Sequence, residues 1–84
     1  MKIETVLAQI FSEIDRAEKL HPDWPTDPIH QAAVVTEEAG ELLQASLNRD
    51  EQKGTKRQMI IEATHTAATA IRFLKNIEES ENHE

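Results

Sequence analysis

The sequence predicts an all-α protein, a three-helix chain that forms a four-helix-type bundle on oligomerisation. Three observations carry that expectation. Apolar residues recur at spacings of three and four, and no strand-type alternation of apolar and polar residues is present. Glycine occurs only at Gly40 and Gly54, and the prolines fall in one cluster, Pro22, Pro25 and Pro28. Breaking signals are therefore confined to His21–Pro28 and Asn48–Gly54, which leaves helices over about residues 2–20, 28–48 and 56–79 of a single domain spanning 1–84.

The first helix carries Ile3, Val6, Leu7, Ile10, Phe11, Ile14 and Ala17 as one apolar stripe, expected to face the core. Glu4, Glu13, Asp15, Arg16 and Lys19 make up its other face, expected to be solvated. The second helix opens with Asp27 as N-cap and Pro28 at the first helical position, where the missing N–H costs nothing. Its apolar residues, from Ile29 to Leu47, occupy more than one side, so it is expected to be largely buried. The third helix opens at Thr55, with Gln58 three residues on completing a capping box. It is expected to fray within the acidic run from Glu78 to Glu84, because negative charge at a helix C-terminus opposes the macrodipole.

Bulk properties narrow the function. A chain of 84 residues buries only about 60% of its unfolded surface, and with no cysteine it has no disulfide to compensate. Burial against further copies is the remaining remedy, so a homodimer or homotetramer is expected. Sixteen acidic residues against nine basic ones, a net charge of −7, argue against binding duplex nucleic acid, which requires a basic face. The sequence shows neither a signal-peptide core at its start nor an apolar run of the roughly 20 residues needed to cross a bilayer. No membrane association is expected, and the cytoplasm is the expected location.

Chemistry concentrates on the second and third helices. At 100° per residue, Glu37, Glu38 and Glu41 lie within about 100° of one another, with His30, Gln44 and Asn48 extending the same flank. Like charges at this spacing destabilise a helix, and apolar neighbours raise the cost unless a cation or protons neutralise them. The third helix has a matching polar flank of Gln58, Glu62, His65, Thr66, Thr69 and Arg72. The short loop makes the two helices antiparallel, which can bring Glu38, Glu41, Glu62 and His65 into one pocket of mostly hard oxygen ligands suited to Mg²⁺ or Mn²⁺. The bland alternative is a solvated acidic face.

The run Glu37-Glu38-Ala39-Gly40-Glu41-Leu42 resembles the E-E-x-x-E-L signature of MazG-like nucleotide pyrophosphatases, part of the all-α NTP pyrophosphatase group. That family's second motif, E-x-x-D on the next helix, corresponds here to Glu62-Ala63-Thr64-His65. The resemblance covers roughly residues 27–75 well and the first helix more loosely. It implies metal-dependent hydrolysis of a nucleoside triphosphate, canonical or modified, to the monophosphate and pyrophosphate. It further implies Glu38, Glu41 and Glu62 as metal ligands, and Glu37 as a further ligand or as the catalytic residue that orients the attacking water. His65 departs from the family's aspartate. It is read as an altered ligand that changes metal preference, as a ligand replaced by water, as the mark of a less active relative, or as a hydrogen-bonded residue with no metal role.

Further substrate-binding candidates are His30, Trp24, Lys56, Arg57 and Arg72. Trp24, between two prolines, can stack on a nucleobase or cap the core, and each cation can meet a triphosphate or simply solvate the surface. The competing functions are a non-catalytic nucleotide- or metal-binding relative and a helical dimerisation module.

Overall fold

The computed structural model describes residues 1–81, with only the backbone of 79–81. It consists of α1 (Ile3–Leu20), α2 (Pro28–Asp50) and α3 (Lys56–Glu81), with no strand among the described residues. Both N-terminal signals operate. The Ile29 N–H donates to Asp27 Oδ1 at 3.3 Å. The Gln58 N–H donates to Thr55 Oγ1 at 3.1 Å, and the Thr55 N–H donates back to Gln58 Oε1 at 3.3 Å.

Two helix ends run further than the sequence predicts. The second helix continues to Asp50, and the turn reverses through Gln52 at φ 62° rather than through a glycine. Gly54 serves close approach instead, since a Cβ there would lie 3.0 Å from the Asn48 Cβ. The third helix continues to Glu81, two residues past the expected end near 79, where no glycine or proline interrupts helix-forming glutamates; the rest of the acidic tail, 82–84, within which the sequence also predicts fraying, lies outside the described residues.

The helices do not close into a bundle. The long contact is between α2 and α3; α1 packs on α3, and no Cα of α1 comes within 8 Å of one in α2. Within the single chain, two expectations about burial are not met. Of the α1 stripe only Ile14 is buried, while Ile3, Leu7 and Phe11 are exposed, because α1 meets one neighbour and covers only the edge of its stripe. The second helix is not largely buried either: it buries Gln31 and Ala45, and leaves Ile29, Leu43 and Leu47 exposed. With α3 as their single partner, α1 and α2 can each bury only one side.

Two polar side chains tie the α1–α2 connection down. Gln31, fully buried, donates through Nε2 to the Pro25 carbonyl at 2.7 Å. Arg72, 6% exposed, lays its guanidinium 4.7 Å from the Trp24 ring centroid and donates to the His21 carbonyl at 2.8 Å.

Candidate metal centre

The reversal at Gln52 sets α3 antiparallel beside α2 and turns their polar flanks toward each other. As a result one ligand atom each from Glu38, Glu62 and His65 lie within 4.8 Å of one another. His65 Nδ1 is 3.8 Å from Glu38 Oε2 and 4.0 Å from Glu62 Oε2, longer than hydrogen bonds. Both of those carboxylate oxygens are buried and have no hydrogen-bond partner.

The electrostatics follow from that burial. Loss of solvent raises the Glu38 carboxyl above its ordinary value of 4.5, and the Glu41 charge beside it pushes the same way, against the opposing pull of His65. Glu62 is raised for the same first reason and then by the adjoining Glu41 carboxyl. Glu38 and Glu62 thus sit where burial resists their ionisation, with the Glu41 carboxyl beside them. Two buried oxygens without donors, an adjacent third carboxylate and one imidazole suit a hard or borderline divalent cation, and Glu38, Glu62 and His65 could hold it with Glu41 alongside.

A fourth carboxylate belongs to the group and was not expected. Glu13 of α1, assigned from the sequence to a solvated face, is half-buried, with Oε2 3.5 Å from His65 Nε2. Its partner Arg16 forks onto it through Nε at 2.8 Å and a terminal nitrogen at 2.6 Å. That fork lowers the Glu13 carboxyl below the ordinary range despite its burial. His65 is therefore flanked by carboxylates on both ring nitrogens. A hint was present in the sequence: Glu13 borders the apolar stripe, about 40° from Ala17, rather than opposing it.

Other candidates are more scattered. Glu41 is exposed and lines a shallow cavity of 210 Å³ together with Glu62, Gln44 and Asn48. Glu37 and His30 are exposed on α2, and Glu37 is not among the three side chains that converge. A cleft of 390 Å³ runs from Glu38 and His65 past Arg16 to Trp24 and Arg72. Trp24 Nε1 and Arg72 Nε are buried without hydrogen-bond partners. Arg57 is exposed and borders a wider groove of 660 Å³ between α1 and α3 that also reaches His65, whereas Lys56, exposed at the start of α3, lines neither.

No protein-family model, curated protein or solved structure matches this chain. Among the described residues, no helix is long and apolar enough to cross a membrane.

Proposed function

We propose that the chain is a metal-dependent nucleoside triphosphate pyrophosphohydrolase that releases the monophosphate and pyrophosphate. One observation carries the reading: Glu38, Glu62 and His65, from the two motifs that resemble the MazG-like signature, converge at one end of a cleft with a tryptophan and two arginines along it. The chemistry a divalent cation supplies at such a carboxylate group is neutralisation of phosphate charge and polarisation of the phosphoryl group.

The chain's own groups divide the remaining work. Glu38, Glu62 and His65 would hold the cation, with Glu41 alongside as a further oxygen donor. Arg16 spends one edge of its guanidinium on Glu13, so its remaining terminal nitrogen can meet a phosphate oxygen entering the cleft. Arg72 stacks on the Trp24 ring at 4.7 Å, and this pair lines the far end of the cleft, where a base would lie. Glu37, exposed on α2 outside the converging group, would be the group to orient the attacking water. Mg²⁺ or Mn²⁺ suits the oxygens, and the imidazole favours Mn²⁺.

The test is pyrophosphate release from a panel of canonical and modified nucleotides with Mg²⁺ and with Mn²⁺. Release that is lost in both Glu38→Gln and Glu62→Gln while helix content is retained supports the reading. Absence of release with every nucleotide and both metals overturns it. A second reading, a nucleotide- or metal-binding relative without turnover, is favoured by the position of Glu37 outside the converging group. It predicts calorimetric binding of the metal–nucleotide complex with no product.

A further inference from the structure

Imidazole and carboxylate differ as ligands in one respect that matters at position 65. A carboxylate offers lone pairs on both oxygens, whereas a neutral imidazole carries a proton on one ring nitrogen and a lone pair on the other. A histidine therefore ligates only when its proton sits on the nitrogen facing away from the cation. An acceptor placed there fixes both the tautomer and the orientation of the ring.

The surroundings of His65 are divided in this way. Nδ1 faces Glu38 Oε2 at 3.8 Å and Glu62 Oε2 at 4.0 Å, the two buried oxygens without hydrogen-bond partners. Nε2 faces the other way, with Glu13 Oε2 of α1 at 3.5 Å. Closing that gap to the length of a charge-assisted hydrogen bond, about 2.7–2.9 Å, takes less than about 1 Å of movement. Glu13 suits the task in three respects. Arg16, three residues on along α1, donates to both of its oxygens at 2.8 and 2.6 Å, which fixes the carboxylate in place. The same fork holds its carboxyl below the ordinary range, so it is an acceptor. Its side chain is only 14% exposed, which limits competition from water.

We infer that Glu13 is a positioning residue, which takes the Nε2–H of His65 and so turns the unprotonated Nδ1 toward the cation site of Glu38 and Glu62. This role presupposes the metal centre proposed above and extends it to α1, outside both motifs. It belongs with histidine at position 65. An aspartate there would need no such partner and would meet Glu13 only as a like charge.

Calorimetry of Mn²⁺ and Mg²⁺ binding to the full chain, without nucleotide, tests this role through a cycle of Glu13→Leu and His65→Asp. In the parent background Glu13→Leu should weaken Mn²⁺ binding about 10-fold or more, the scale on which a ligating histidine loses its partner. In the His65→Asp background the same change should alter Mn²⁺ affinity less than about threefold, the scale of one screened charge. Glu13→Gln should keep most of the parent affinity, because its amide oxygen still accepts from Nε2. If Glu13→Leu does not fold, Glu13→Ala carries the same expectations. With Zn²⁺ as a diamagnetic probe, long-range proton–nitrogen correlation spectra should place the His65 proton on Nε2 and the metal on Nδ1. Equal losses in the two backgrounds overturn the role and leave Glu13 as a charge or as an anchor of α1. So does a Glu13→Gln variant as weak as Glu13→Leu, or a Zn²⁺-bound His65 protonated on Nδ1. A parent that binds both cations, with Glu13→Leu unchanged, defeats this role alone. A parent that binds neither defeats the metal centre and this role with it.

Discussion

Removing the Arg72 guanidinium tests whether the α1–α2 connection is held by α3. Arg72→Ala deletes a stack 4.7 Å from the Trp24 centroid and a hydrogen bond of 2.8 Å to the His21 carbonyl. The stack contributes about 1–2 kcal/mol when largely desolvated. The charge-assisted hydrogen bond adds about 1.5–3 kcal/mol. Against these stands about 1 kcal/mol or more regained by hydrating a charge whose Nε has no partner in the fold. The net cost is about 1.5–4 kcal/mol, or roughly 6–32 °C of melting temperature for a domain of this size. Arg72→Lys keeps the charge but loses the planar stack, so it should cost about half as much. Trp24 is the only tryptophan, so its emission reports the same contact directly. Urea and thermal melts at one fixed protein concentration, with Trp24→Leu and the double variant closing a cycle, give the coupling between the two side chains. A melting temperature within about 2 °C of the parent for Arg72→Ala, or a cycle with no coupling, would refute the argument.

Three further outcomes follow from the acidic group and the α2 backbone. Burial makes Glu38 and Glu62 bind protons more readily in the folded protein than in the unfolded chain. The cost of ionising them is therefore absent below 4.5 and grows as pH rises through their raised values. Glu13 works in the opposite sense, stabilising above 4.5 and losing that contribution as pH falls through its lowered value. Without divalent cations, melts should show stability falling as pH rises above 4.5, with a smaller fall in Glu62→Gln; a flat profile in the parent counts against the buried carboxylates. Gly40→Ala should raise stability by about 1 kcal/mol, because the residue lies mid-helix and a Cβ there meets nothing within 4 Å; an unchanged or lower melting temperature indicates a neighbour that the single chain lacks. His65→Asp should shift metal preference from Mn²⁺ toward Mg²⁺ in calorimetry, and His65→Ala should weaken Mn²⁺ binding more than Mg²⁺ binding. If both match the parent, the imidazole is no ligand.

What could be read from the sequence was what a few adjacent residues decide. Asp27-Pro28 and Thr55-x-x-Gln58 fix their helix starts through bonds spanning two or three residues, so the caps were legible. The meeting of Glu38, Glu62 and His65 was legible because a short connection leaves antiparallel packing as the economical arrangement. Glu13 was not, because its place beside His65 depends on how α1 lies against α3, which is set by contacts some fifty residues apart, such as Arg72 with His21. The apolar stripes showed which residues favour burial but not what would cover them, hence the exposure of Phe11 and Leu43. The left-handed residue was also hidden: Gly54 is the natural candidate by composition, yet the turn places Gln52 there.

The uneven anchoring of α1 sets an order of opening. It is held through Lys75 on Glu18 at 2.7 Å, the Arg72 bond to His21 and the looser approach of Glu13 to His65, whereas α2 and α3 share a long common face. Amide hydrogens of α1 should therefore exchange in a faster cooperative unit than those of the α2–α3 hairpin. Glu13 and Arg16 ride on that unit, while Glu38, Glu62 and His65 belong to the slower one. Each time α1 detaches, the cleft loses one wall and its free arginine edge, yet the converging carboxylates stay assembled. Faster exchange across α1 than across the α2–α3 hairpin would therefore mark the wall of the cleft as its least stable part.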